Sequence, residues 1–559
     1  MITELLKKLA RVFWLLPGFV LWASYPPMAE RTDCVFALAP LMWLSRNADA
    51  KTNAKRWFAN GFLFWFATLS WMPAIVKNGG PWPLVVLGWG ALAAYCALYF
   101  GAYGWLSAKV WGWVRDEGTS WRKPPRFPYA RRLAAILVAE PVLWCGLELV
   151  RSRFGGGFAW NQLGVPVVNA GFGAPAALGG VYLVSAVVVL INGTIAGVAE
   201  RMLEPFRRAK GLPVIQVPKW ARSFETLVPI ALIWGLYVWG DWAGPYGYRQ
   251  DRENDRLQPL RVAMIQRNFP CVFKPAERED PFEVYSNLLA NVSYTQPELV
   301  VLPESAMCEF GAVDSPRTRL FASWARRLTG ARAVLAGAGR WTSGREFNSA
   351  GLYSADGLEI YDKVHLVPFG EFIPGDKLIP ILQKLAPVGS CTPGELKLLP
   401  LSTSTFDLDL NLGVAICYED TDSAQMRALA RKGAKALVFI TNDSWFSHSI
   451  EAEQHAEQAV ARAIETGLPV VRVGNSGVTG TITPEGKASW LLGSDGHPLV
   501  DARATMADRI EVTRACCPRG TPYVLFGDIP LGVAFGLLLI AMILVKYKDN
   551  HEKRRYLSM

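Results

Sequence analysis

The sequence predicts a membrane-embedded bundle of eight helices that carries one α/β domain outside the bilayer. Three observations lead there: a high apolar share, a series of hydrophobic stretches near bilayer length, and one long interval of mixed polarity in which strand and helix patterns alternate. Of 559 residues, 51% are apolar and 22 are Trp, and the mean hydropathy is +0.17, too hydrophobic for a soluble chain of several domains. Apolar stretches lie at 12–28, 33–45, 57–76, 83–107, 132–150, 173–199, 224–243 and 525–545. Most approach the roughly 20 residues that a helix needs to cross a bilayer, and 33–45 is the shortest. Between the seventh and eighth lie about 280 residues with Gly and Pro punctuation, enough for one sizeable domain. The expected organisation is therefore seven transmembrane helices over 1–245, a globular domain over 256–520, and an eighth transmembrane helix with a basic tail over 521–559.

A net charge of +10 raises the question of nucleic acid, but the distribution answers it. Basic residues gather beside alternate hydrophobic stretches: Lys7, Lys8 and Arg11, then Arg46, Lys51, Lys55 and Arg56, then 115–132, then 201–222, then the tail from Lys546 to Arg555. The short loops between hold only Arg31, Lys77, Arg151 and Arg153. By the positive-inside rule both termini are cytoplasmic and the large domain lies outside. The same parity requires the short second span. The charge thus reports topology, with the bilayer as a partner and no nucleic acid. The first span, which has no obvious A-x-A cleavage site, serves as an uncleaved membrane signal.

Within the domain, "LRVAMIQ" (260–266), "ELVVLPE" (298–304), "ARAVLAGAG" (331–339), "LNLGVAICYE" (410–419) and "AKALVFITND" (434–443) read as buried strands closing on polar residues. "FASWARRLTG" and "EAEQHAEQAVARAIETG" have helical spacing, the latter ending at a Gly467 cap.

The chemistry follows by elimination. Only His365, His448, His455 and His497 fall in the domain, without H-E-x-x-H and without paired C-x-x-C, so no metal is expected. "VGNSGVTG" fails the serine elbow because Val478 stands where the second Gly belongs. No phosphate-cradling loop or dinucleotide fingerprint is in place, so no cofactor is expected. What remains is a cysteine with carboxylates and a lysine: "VVLPES" with Glu304, "YDKVHLVPFGEFIPG" with Lys363 and Glu371, and "GVAICYED" with Cys417. A thiol is mostly protonated at neutral pH, so a nucleophilic cysteine needs a base, and a carboxylate in a dry pocket can serve. Attack on a carbonyl builds an oxyanion, which a fixed ammonium and the backbone N–H of Tyr418 can stabilise. Taken singly, each residue has a plainer reading: a buried thiol, a strand-end cap, a surface lysine.

In this order, together with "TNDSWF" and "RAIETGLPVVRVGNSGVTGTITPEG", the segments resemble the carbon-nitrogen hydrolase (nitrilase) superfamily. Within it, the string "KVHLVPFGEFIP", the seven spans before the domain and the one after, and "GFAWNQLG" at 157–164 are similar to the bacterial apolipoprotein N-acyltransferase family. The resemblance implies a nitrilase-type αββα sandwich. It implies a catalytic triad with Glu304 as base, Lys363 as oxyanion-stabilising cation and Cys417 as a nucleophile that holds a fatty acyl group as a thioester. Glu371 matches a second carboxylate, expected to sit near Lys363 and keep its ammonium charged and oriented, with pinning of its own Pro- and Gly-rich loop as the alternative, and Tyr418 and Glu419 match the pair flanking the nucleophile. It also implies a ping-pong reaction in the bacterial inner membrane, with a phospholipid acyl donor and diacylglyceryl apolipoproteins as acceptors at a periplasmic domain. Two segments depart from the family pattern: "QRNFPCVFKPAERED" has Pro275 where a Trp is expected, and "SHSIEAEQH" before His455 lacks a Pro-Trp pair.

In an oxidising compartment disulfides are open to Cys271, Cys308, Cys391, Cys516 and Cys517, with no connectivity fixed by the sequence. Cys417 is expected to be unpaired. Two other function classes stay open at this stage. A membrane-tethered nitrilase-type amidase would use the same residues on a small soluble substrate, and a non-enzymatic scaffold would need none of them.

Overall fold

The structure, a computed structural model, describes residues 13–115, 128–209, 219–244, 246–254, 256–270, 279–373, 390–402, 410–513 and 520–557. The chain divides into a helical unit (13–70, 86–240 and 526–557 among the described residues) and an α/β unit (71–85 and 241–525).

In the helical unit, each of the eight apolar stretches is at least partly helical, but their lengths differ. Among the described residues, five helices are long and apolar enough to cross a membrane: Trp82–Arg115, Tyr129–Arg151, Ala176–Met202, Arg222–Glu253 and Ile529–Lys548. The first two stretches are broken into short helices beside prolines, whereas the third is the 19-residue helix Ala50–Thr68, whose first turns carry Lys51, Lys55 and Arg56. Helix Leu16–Ala23 ends just before Pro26–Pro27. Cys34–Ala37 and Ala39–Ser45 meet at Leu38, with Pro40 in the first turn of the second. Several basic residues that mark topology in the sequence are buried. Arg46 and Arg132 each bond Glu200, at 3.0 and 2.9 Å, and Arg132 and Arg201 both pair with Glu225. Arg46 also lies 4.3 Å over the Trp111 ring.

Among the described residues, the α/β unit is two six-stranded sheets. The first has order β12-β1-β2-β3-β4-β5 and the second β11-β10-β9-β8-β7-β6. The strands are β1 (Leu257–Gln266), β2 (Leu299–Val301), β3 (Ala333–Thr342), β4 (Arg345–Tyr353), β5 (Leu358–Asp362), β6 (Leu399–Leu401), β7 (Leu410–Ile416), β8 (Ala436–Thr441), β9 (Val470–Gly474), β10 (Gly480–Ile482), β11 (Ala488–Trp490) and β12 (Ala504–Thr513). β1, β2 and β3 run parallel, as do β7, β8 and β9. Strand alternation explains the layers. Val262 and Met264 of β1, with Leu412, Val414 and Ile416 of β7, enter one core shared by both sheets. Ala263 and Ile265 face the other way and pack with Tyr285, Leu289, Phe321 and Ala322 of helices Pro281–Ser293 and Pro316–Thr329. On the second sheet, helix Ser423–Arg431 lies so close that a Cβ at Gly413 would come 3.2 Å from the Leu429 side chain. Helix Glu451–Thr466 ends at Gly467 in the left-handed conformation (φ 68°), as its sequence suggests. The result is helix, sheet, sheet, helix.

Residues 71–85, between two apolar stretches, belong to the α/β unit. Asn78 Nδ2 donates to the carbonyls of Ser444 (3.2 Å) and Trp445 (2.7 Å), and Trp71 meets Phe446 edge-on at 4.7 Å.

Candidate active site

Glu304, Lys363 and Cys417 come from the carboxyl ends of β2, β5 and β7, where α/β sheets present their loops. Glu304 follows β2 with its backbone pressed on β3. A Cβ at Gly337 would sit 2.6 Å from the Glu304 Cα, so only glycine fits there. Lys363 leaves β5 fully buried (1% exposed), its N–H donating to the Asn348 carbonyl. Cys417 follows β7 with φ +56°, a conformation that costs energy for a non-glycine residue and turns its side chain to the same core as Ile416, out of the strand's alternation. It remains partly exposed, and its thiol is free, as expected.

The Lys363 ammonium lies 2.9 Å from Glu371 Oε2 and 3.9 Å from Glu304 Oε1. One amide, Asn348 Nδ2, donates to both carboxylates at 2.7 Å. Glu371 also accepts the Val367 N–H at 2.8 Å, so the same side chain holds the cation and pins its own loop. Glu419 is wholly buried and accepts from four donors: the backbone N–H groups of Val364 (2.8 Å), His365 (3.0 Å) and Ile416 (2.8 Å), and Tyr361 Oη (2.9 Å). It thereby ties the Lys363 loop to the Cys417 turn. Tyr418 packs edge-on against His365.

The electrostatics divide the two carboxylates. Burial raises Glu304 above the usual carboxylate range, only partly opposed by Lys363. Glu371 is buried too, yet Lys363, Asn348 and the Val367 N–H hold it below that range. Burial works against the Lys363 charge, but Glu371, Cys417 and Glu304 raise the ammonium above its ordinary value. Burial, with Glu304 and Asp443 adding to it against Lys363, keeps the thiol protonated at rest. A thiol, an acid with high proton affinity and a fixed cation are therefore brought together, which suits proton transfer from sulfur and charge stabilisation on a carbonyl oxygen.

Sequence reasoning missed Asn348, Tyr361 and a second charged set behind the turn. Asp420, Asp443, Glu451, His455 and Arg472 are all buried. Asn348 and Tyr361 carried no signal, being single polar residues inside strands. "TNDSWF" was noted, but the partner of its Asp was not. Asp443, Glu451 and His455 could offer ligands to a metal within 4.8 Å of one another. However, both His455 ring nitrogens already face carboxylates, and Arg472 supplies a cation. Pro275, Cys271, Cys516 and Cys517 lie outside the described residues, as do Pro374 and Gly375 of the Glu371 loop.

Comparison with known proteins accords with this architecture. Residues 17–194 match the family model "Apolipoprotein N-acyltransferase N-terminal domain", and residues 261–509 match "Carbon-nitrogen hydrolase". The chain is similar to the apolipoprotein N-acyltransferase of Geobacter metallireducens, 28% identical over 84% of each chain. It is also similar to that of Photobacterium profundum, 27% identical over 92% of this chain and 91% of the other. A solved amidase of the nitrilase superfamily from Nesterenkonia is 18% identical and covers 49% of this chain and 95% of its own, with a TM-score of 0.35. With one family model on the helical unit, a second on the domain that holds Cys417, and relatives aligned over most of their length, the chain belongs to the apolipoprotein N-acyltransferase family of the carbon-nitrogen hydrolase superfamily.

Proposed function

We propose that this protein moves a fatty acyl group from a membrane phospholipid, through a thioester on Cys417, to the α-amino group of the diacylglyceryl-cysteine at the N-terminus of an apolipoprotein. The observation that carries the reading is the convergence of Cys417, Glu304 and Lys363 in a chain of this family.

In the first half-reaction Glu304 takes the thiol proton as sulfur attacks the ester carbonyl of the donor. Lys363 Nζ and the Tyr418 N–H stabilise the oxyanion. Collapse breaks the ester bond, and Glu304 returns the proton to the departing lysophospholipid oxygen. In the second half the acceptor amine attacks the thioester, gives up a proton to Glu304, and forms an amide as the thiolate leaves and is reprotonated. Glu371 keeps Lys363 charged and aimed, and Glu419 holds the two loops in register.

The membrane arrangement belongs to the same reading: eight spans over 1–245 and 521–559, both termini cytoplasmic, and residues 256–520 on the periplasmic face of a bacterial inner membrane. An active site on that surface meets both lipid-anchored substrates without drawing either chain into water. Intact-mass measurement of the purified protein tests the chemistry: an acyl adduct that hydroxylamine removes and that maps to Cys417 is expected. Its absence, with turnover of small soluble amides instead, would favour the tethered amidase. A reporter fused after Asp255 should be active only outside the cytoplasm, and a cytoplasmic signal would overturn the topology.

A further inference from the structure

Behind the Cys417 turn lies a buried charged set that the proposed reaction does not use. His455, on helix Glu451–Thr466, places Nε2 2.9 Å from Asp420 Oδ1 and Nδ1 3.0 Å from Asp443 Oδ1. A carboxylate only accepts, so two such bonds require both ring nitrogens to donate, and the ring is an imidazolium. Asp420 sits three residues after Cys417 on the same turn, and Asp443 follows β8. The Asp443 carboxylate rests against backbone so closely that a Cβ at Gly477 would come 1.9 Å from Oδ2. Arg472 of β9 spans the other two carboxylate oxygens, 3.5 Å from each. Glu451 Oε1 is 3.6 Å from His455 Nδ1.

We propose that His455 is a positioning residue for the nucleophile: as a cation clamped between Asp420 and Asp443, it fixes the turn that carries Cys417 and neutralises the negative charge behind the thiol. The assignment rests on the reading of Cys417 as the acyl-bearing residue.

The charges facing each group make the case. Cys417 meets Glu304 from the loop after β2, Lys363 and Glu371 from the segment after β5, and Asp443 from the end of β8; three of these four oppose a thiolate. Around His455 stand Asp420, Asp443, Glu451 and Arg472. Despite burial, the two aspartates raise the imidazole to about 10, and His455 with Arg472 brings Asp443 down to about 2. Burial and Asp443 push Glu451 well above the carboxylate range, so it is protonated. Two anions and two cations then balance. Removing the His455 charge leaves a net anion behind sulfur, and removing the Asp443 charge leaves a net cation.

The test is the pH profile of alkylation by iodoacetamide, an uncharged reagent, read at the Cys417 peptide by mass spectrometry on the full-length protein in detergent. Reactivity follows the thiolate fraction. In His455→Gln the profile should move to higher pH by about one unit, or about tenfold slower labelling near neutrality. In His455→Gln with Asp443→Asn it should return towards that of the parent. Asp443→Asn keeps the side-chain shape and should move the profile to lower pH. Because losing the Asp443 charge also favours ionisation of Glu451, Asp443→Asn is read in a Glu451→Gln background, with Glu451→Gln alone as its reference. A merely structural role predicts loss of stability without this pattern of opposite signs. An unmoved profile in folded His455→Gln overturns the proposal. Should that variant fail to fold, Asp443→Asn decides alone, and a shift to higher pH or none at all rejects it. Failure of the Cys417 assignment would look different: acyl-enzyme would still form in Cys417→Ala, whatever the alkylation profiles do.

Discussion

Two buried ionic sets, one in each unit, use nearly the same residue types to different ends. In the helical unit, Glu200 lies between Arg46 and Arg132, and Glu225 between Arg132 and Arg201. Both carboxylates are flanked by two guanidinium groups. In the α/β unit, Glu304 and Glu371 share the single ammonium of Lys363, and unequally, at 3.9 and 2.9 Å. Burial charges each set a desolvation cost that only close partners offset. The helical set meets it with Arg on both sides and ties helices together. The other set is one cation short, which leaves Glu304 with a raised proton affinity beside a thiol.

The comparison breaks first at the thiol. Cys417→Ala should abolish the acyl-enzyme, whereas Cys308→Ala and Cys391→Ala should leave it, as seen by intact mass. Glu304→Gln and Lys363→Met should each slow acylation by about 2.7–4 kcal/mol, or 10²–10³-fold. Acylation at the parental rate in either variant would mean that the shared ammonium is structural, like its counterpart in the helices.

Glu371→Gln comes next. It keeps size and removes charge, so a charge-bearing role predicts a folded protein acylated more slowly by about 1.5–3 kcal/mol. Near-parental kinetics would reduce Glu371 to a loop pin through Val367. The same variant has a pH signature. The Glu371 carboxyl is depressed in the folded state, so its stabilisation is present above the unfolded value near 4.3 and lost as pH falls through the folded value. Melting temperature should therefore fall less steeply below about pH 4.5 in Glu371→Gln than in the parent.

For the helical set the expectation reverses. Arg132→Met leaves Glu225 and Glu200 each short of a partner and should cost about 3–5 kcal/mol of stability in detergent, while the folded fraction acylates at the parental rate. A change in rate per folded molecule would blur the distinction between the two sets. The smallest effect is expected of Asn78→Ala, which removes two hydrogen bonds to the 444–445 carbonyls. A loss of about 1–2 kcal/mol is expected, with acylation changed only a few-fold.

The main elements of the α/β unit could be read from the chain because strands buried on both faces are continuous apolar runs, and β1, β2, β3, β7 and β8 each lie where such a run does. β4 and β5, with "REFNSAGLY" and "LEIYD", mix polar and apolar residues, and they escaped notice although one carries Asn348 and the other leads to Lys363. Helix lengths were misjudged at 12–28 and 33–45, where prolines interrupt helices that hydropathy alone would continue, and the helix expected at 57–76 lies earlier, at Ala50–Thr68.

By itself the sequence determined which residues were candidates for the chemistry. Motifs such as "VVLPES", "DKVHLVPFGE" and "GVAICYED" fix residue type and spacing within one segment each, and so they singled out Glu304, Lys363, Glu371 and Cys417. The sequence reading put Glu371 beside Lys363, and the two lie 2.9 Å apart, but the Asn348 amide and the loop closing on Val367 that hold the carboxylate there came only with the fold. Nor did the sequence join Asp420 to His455 across 35 residues, or Asn78 to Ser444 across 366. Those pairings arise only when strands assemble and loops meet, since a buried polar group takes whichever partner the packing brings within reach.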